Sequence, residues 1–171
     1  MGGSAEGNLW YNNYMGRNKT FWWIGVIVVI LFAILIAPQF SGKVRDFRKR
    51  LALINADCIG NEGQNLAQDI HQTLKIIVDG VEQVIPANVG IISSCTAEVH
   101  THDTTGLIHI ETLTSGKTFK LKDFFTIWGE QFDRPGYEMN MTVNGNPDGN
   151  LSELVLKNEQ QIVLIYSKPQ Q

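Results

Sequence analysis

Apolar residues follow three different rhythms along this chain. From Phe21 to Ala37 they run unbroken as Phe-Trp-Trp-Ile-Gly-Val-Ile-Val-Val-Ile-Leu-Phe-Ala-Ile-Leu-Ile-Ala, with no charge and no strong polar group. That length sits at the short end of the roughly 17 to 25 residues that cross a bilayer as a helix. Pro38, Gln39 and Phe40 extend it toward the interface, and Trp22 and Trp23 suit the headgroup level. A buried core helix and a cleavable signal peptide are the rivals. The run is long for a signal peptide's apolar segment, and Ala37-Pro-Gln-Phe40 is a poor small-x-small cleavage site. A retained transmembrane helix over 21–40 is therefore expected, preceded by an N-terminal tail over 1–20.

Next, over 41–55, Val44, Phe47, Leu51 and Ile54 fall near one face at helical spacing among Lys43, Arg45, Arg48, Lys49 and Arg50. This reads as a basic juxtamembrane stem, either solvated at the headgroups or a docking surface for an acidic partner.

Beyond residue 55 the rhythm becomes alternation, the mark of strands with one buried face. Asn55 to Ile70 is linker, with a short helix expected after Gly63. His71–Val78 and Val81–Ile85 flank Asp79-Gly80, a strong hairpin signal. Strands are also expected over Lys117–Lys122, Glu138–Val143, Leu151–Leu156 and Gln161–Tyr166, with Asn144-Gly145 as another tight turn. Asp123, Phe124, Ile127, Trp128 and Gly129 mark one short capped helix. The fold class expected is mainly β (α+β): one N-terminal transmembrane helix, then a compact seven- to eight-stranded antiparallel β domain over 56–171 with one short helix.

The net charge of -3 hides an asymmetry, because the chain after residue 50 holds seven bases against fifteen acids. That balance argues against nucleic acid, which needs a basic face. Cys58 and Cys95 are the two cysteines; a bond between them would stabilise by about 4 kcal/mol in the chain-entropy estimate. Such bonds belong to oxidising compartments. Asn140-Met-Thr and Asn150-Leu-Ser fit the glycosylation pattern, a common one by chance. The bases around the span point the other way: Arg17 and Lys19 precede it while five follow within 43–50, which by positive-inside counting puts the C-terminal side in the cytoplasm.

Candidate chemistry is concentrated between Glu98 and Thr112, which holds three of the four histidines. Closing a hairpin at Asp103-Thr-Thr-Gly106 sets His102 opposite Leu107, His100 opposite His109 and Glu98 opposite Glu111, all on one face. Val99, Ile108 and Ile110 occupy the other, so a core lies beneath a row of imidazoles and carboxylates. Neutral imidazoles are common ligands of copper and zinc, and two on alternate strand residues point the same way. His100, His102 and His109 are the candidate metal ligands, with His71 a fourth if its strand lies alongside. Asp103, Glu98 and Glu111 are candidate carboxylates holding the rings from behind. A hydrogen-bonded cluster without an ion, or a proton sensor, remains open. Enzyme signatures are weak. Ser115-Gly-Lys-Thr lacks the earlier glycine of a phosphate loop, since Glu111 stands there, and Ser93-Ser94-Cys95 forms no triad pattern.

These pieces occur in an order that resembles a group of small bacterial and archaeal domains, usually tethered by one N-terminal membrane helix and largely uncharacterised. The shared pieces are Ile70-His71, the Val78-Asp-Gly turn, Ile85-Pro-Ala-x-Val-Gly-Ile, Cys95, His100-Thr-His-Asp-x-x-Gly-Leu-Ile-His-Ile-Glu111, and Phe119-x-Leu-x-Asp-Phe-Phe-x-Ile-Trp-Gly129. The chain departs from the group at Asp69 and Thr73, where the group carries further histidines. With the cysteines, the resemblance implies a domain on the extracytoplasmic side of the cell membrane. The function expected is a single-pass anchored domain binding copper or zinc, as an accessory or metal-handling component among other membrane-protein subunits. The alternative is a purely structural accessory subunit with no metal.

Overall fold

The computed structural model describes residues 12–60 and 65–169, with the side chains of 12–21 and 32–42 left out. The chain divides into two compact units, one ending at Arg45 and the other comprising Asp46–Gln171.

Helix α1 runs from Asn12 to Leu53, taking in the expected span, the stem as far as Leu53 and part of the expected tail. Among the described residues no helix is long and apolar enough to cross a membrane. The described side chains of the span, Trp22 to Leu31, include a row of exposed large hydrophobics. Ten helical residues rise only about 15 Å, half of a hydrocarbon core of about 30 Å. Phe21 and 32–40, the rest of the expected span, lie outside the residues whose side chains are described. In the second unit, the end of α1 is not a solvated stem. Phe47 and Leu51, four residues apart on one face, are buried in the domain core.

The second unit is mostly β with short helices, an α+β arrangement. Its strands are β1 (Cys58–Ile59), β2 (Gln68–Val78), β3 (Val81–Gln83), β4 (Ile91–Ile92), β5 (Cys95–Ala97), β6 (Val99–His100), β7 (Leu107–Thr112), β8 (Glu138–Val143), β9 (Asn146–Pro147) and β10 (Gln161–Ser167). The larger sheet is ordered β6-β7-β2-β10-β8-β9, with β3 also on β2; a small sheet is ordered β1-β5-β4. Among the described residues ten strands therefore stand where seven or eight are expected. The sheet is also not purely antiparallel, because β10 lies parallel to β2 with Ile162 beside Leu74 and Leu164 beside Ile76.

Strand β2 is the spine. Its period-two pattern buries Gln72, Leu74 and Ile76 on one face, where Ile108 and Ile110 of β7 and Ile162, Leu164 and Tyr166 of β10 join them. Helix α2 (Leu121–Trp128) adds Leu121, Phe124, Phe125 and Ile127 to the same core. It is capped from its third position: Asp123 accepts the Lys120 backbone N–H at 2.7 Å.

Four local expectations need correction. Val81 pairs only as far as Gln83, short of Ile85. Asn55–Ile70 contains strands at both ends; 61–64 lie outside the described residues, and 65–67 form no helix. Lys117–Lys122 and Leu151–Leu156 are not strands but meet at one isolated bridge, Lys120 to Val155. Leu151–Glu153 is instead a 3-10 turn, although the alternation persists in the burial of Leu154 and Leu156.

Candidate metal centre

Three neighbouring strands place histidines side by side. His71 of β2 pairs with His109 of β7, and His109 pairs with His100 of β6. Because side chains alternate along a strand, this register sends all three rings to the face opposite Ile108 and Ile110. Asp69 pairs with Glu111 two residues along, so a row of carboxylates runs next to the row of rings.

His102 reaches the cluster by another route. It does not stand opposite Leu107 in the ladder, because β6 ends at His100. Thr101 turns away: its backbone N–H goes to the Val89 carbonyl at 3.0 Å and its hydroxyl donates to the Pro86 carbonyl at 3.0 Å. That departure widens the loop and swings His102 back over His100, with the two Nε2 atoms 3.1 Å apart. His100, His102, His109 and Glu111 each offer a ligand atom, all within 4.8 Å of one another. This group can hold a metal ion.

The cluster has a buried floor and an open side. His100 is fully buried, His109 and Glu111 are partly so, and His102 is exposed. The Nδ1–H of His100 donates to the Ala97 carbonyl at 2.9 Å, which leaves Nε2 with its lone pair toward His102. Gly90 lies close to the His100 Cβ. It has φ +79°, and a Cβ there would sit 2.5 Å from the Val99 carbonyl oxygen and 3.0 Å from the His100 Cβ. Only glycine accommodates both the left-handed backbone and that approach.

Burial pushes His100 down to about 4, partly opposed by its bond to Ala97 and reinforced by the other imidazoles. Burial, then His71 and His102, likewise holds His109 below the ordinary histidine value. Both are thus neutral near pH 7, the state a metal requires. His109 Nδ1 is buried without a hydrogen bond, 3.7 Å from Glu111 Oε1. A buried nitrogen left in this way costs about 1 to 3 kcal/mol, a cost that an ion would remove. Ligands about 2.0 to 2.1 Å from a tetrahedral ion stand about 3.3 Å apart. The His100–His102 spacing is close to that already, whereas a separation at the 4.8 Å limit of the group must shorten by about 1.5 Å.

Other candidates lie elsewhere. His71 is outside the four-residue group; its ring stands edge-on to His109 at 4.5 Å, and its Nε2 is 3.3 Å from Asp69 Oδ1. Glu111, expected behind the rings, is in the group itself. Glu98 is turned away from it. Its buried carboxylate accepts the Asp57 N–H at 2.9 Å and pairs with Lys117 at 2.5 Å. Asp103 Oδ1 is taken by the Thr105 N–H at 2.9 Å and the Thr105 hydroxyl, fastening the loop rather than a ring.

Cys58 and Cys95 form a disulfide between β1 and β5, with 5.2 Å between Cα atoms. The contacts that Ala97, Gly90 and Asp69 make with the histidines carried no metal signature in the sequence. The glycine alone could have been singled out, from Val89-Gly-Ile in the shared pattern. Comparison of the chain with protein-family models, curated proteins and solved structures found no match.

Proposed function

We propose that this chain is a single-pass, membrane-anchored domain on the extracytoplasmic side that binds a copper or zinc ion through His100, His102, His109 and Glu111. It acts as an accessory or metal-handling component of a membrane complex. The observation that carries the reading is the convergence of these four side chains, one of which, His109, has its Nδ1 buried without a hydrogen bond. Three imidazoles and a carboxylate, with no thiolate or thioether, suit borderline divalent ions rather than hard calcium or magnesium. The disulfide supports an oxidising compartment. The uncharged run from Phe21 to Ala37 and the resemblance to tethered domains support the anchor.

A second reading has one observation in its favour. At 3.1 Å, His102 can donate an N–H to His100 Nε2, closing the cluster without any ion. The chain would then be a structural accessory subunit.

Electron paramagnetic resonance of the Cu(II)-loaded full chain separates the two. Nitrogen splitting from three imidazoles, falling to two in His102→Ala, supports the metal site; signals of weak, unspecific Cu(II) unchanged by that substitution support the structural reading. Carbonate extraction and protease protection of membranes test the anchor and its orientation. Release of the full chain by carbonate, or a domain shielded on the cytoplasmic side, contradicts them.

A further inference from the structure

His71 is left over from the four-residue group, yet it is not placed as a bystander. Its backbone is fixed on both sides: its N–H donates to Asn158 Oδ1 at 2.9 Å, and its carbonyl accepts the Glu159 N–H at 2.6 Å. The ring is about two-fifths exposed, whereas that of His109 is mostly covered. Asp69, half exposed, stands 3.3 Å from His71 Nε2. With Nε2–H turned to that nearby carboxylate, the lone pair would stand on Nδ1, as in the carboxylate–histidine pairs that prepare an imidazole for a metal. Its other neighbour is His109, whose ring lies 4.5 Å away across the strand pair. Of the three rings carried by the paired strands, exposure falls from His71 through His109 to His100, while the exposed His102 covers the group from its loop.

Resting on the metal-binding reading above, we propose that Asp69 and His71 form an outer, transient site through which a divalent transition ion enters and leaves the inner group. An incoming hydrated ion would exchange a water for His71 Nδ1, and His109 would then replace His71. On exit, the order reverses and the ligand of an acceptor takes the place of water. The ion would keep its oxidation state throughout, and each bond made, to His71 and then to His109, His100, His102 and Glu111, would replace one to water or to His71. A residue that binds only in passage lowers the barrier in both directions. It therefore changes loading and release rates together and leaves their ratio, the affinity, nearly constant.

The test uses the detergent-extracted full chain, zinc chloride as the ion and a chromogenic chelator as the acceptor, followed by stopped flow. His71→Gln and Asp69→Asn are each expected to slow loading and release by about tenfold, with Kd within about threefold of the parent. His102→Ala is expected to weaken Kd itself. A Kd loss of tenfold or more in His71→Gln would make His71 an inner ligand, and unchanged rates would make it a bystander; either overturns the proposal. If the parent chain binds no zinc or copper at all, the metal reading fails and this inference with it. If the parent binds and only the rates refuse to move, this inference alone fails.

Discussion

Glu98 and Glu111 are the carboxylates that flank the histidine hairpin, and the structure gives them opposite roles that can be measured apart. Glu98 is buried to about 1 % exposure and shared between the Asp57 N–H and Lys117. Burial alone would pull Lys117 down, but the bonds and charges of Glu98 and Asp57 outweigh it, so its pKa lies above the ordinary lysine value. Removing one partner of a buried ion pair costs about 3 to 5 kcal/mol. Here Asp57 Oδ2 remains 3.0 Å from the ammonium, and the side chain of Lys117 is 17 % exposed, which bring the expectation for Glu98→Gln down to about 2 to 3 kcal/mol. With a urea m-value of about 2 kcal/mol per molar, the midpoint falls by about 1 to 1.5 M. Metal affinity should stay within about threefold, because that carboxylate does not face the rings. Glu111→Gln should do the reverse, weakening metal binding by about ten- to a hundredfold, as for groups at or beside a metal site, while costing less stability than Glu98→Gln because its side chain is 21 % exposed against 2 % for Glu98. Equilibrium urea unfolding of the metal-free protein, with its disulfide intact, and competitive metal titration of the same two variants read both quantities. A stability loss below about 0.5 kcal/mol in Glu98→Gln, or a metal loss equal to that of Glu111→Gln, would refute the division of roles.

Three further outcomes follow from the same contacts. Gly90→Ala combines a left-handed backbone with a Cβ 2.5 Å from the Val99 carbonyl, so it should destabilise by about 3 kcal/mol and weaken metal binding by displacing His100; thermal unfolding with a metal titration checks both. Reducing Cys58–Cys95 should cost about 4 kcal/mol by the chain-entropy estimate, read as a fall in the urea midpoint, and a fall worth less than about 1 kcal/mol would contradict a structural role. Burial pushes the Tyr166 hydroxyl, which donates to the Phe132 carbonyl, up to about 12. A folded-state pKa above the ordinary 10 gives stability that is complete below pH 10 and lost as pH rises through 12. That loss is worth about 2 to 3 kcal/mol. Urea midpoints at pH 8 and pH 11 should differ less in Tyr166→Phe than in the parent.

The histidine hairpin was legible because its turn and its alternation are local. His100 opposite His109 follows from closing Asp103–Gly106, and the burial of Val99, Ile108 and Ile110 follows from period two. His71 beside His109 was legible only as a condition, since no local signal says which strands pair. The parallel pairing of β2 with β10 leaves no turn residue behind, so an antiparallel expectation fails there. The Glu98 role was misread for a related reason. Alternation assigns a face but cannot foresee Lys117 arriving from another segment to claim the carboxylate. His102 escaped its expected position because Thr101 bonds to the 86–89 loop, a tertiary contact that ends β6 early. Two-residue strands such as β1 and β4 are too short to show any period.

The central claim is that the four converging side chains take one transition ion. The most direct measurement is metal content per chain of the detergent-extracted protein after loading with zinc or copper and removal of excess, beside the His100→Ala/His109→Ala double variant. One tightly held ion in the parent and none in the double variant is the predicted result. An empty parent, or the same content in both proteins, would contradict it.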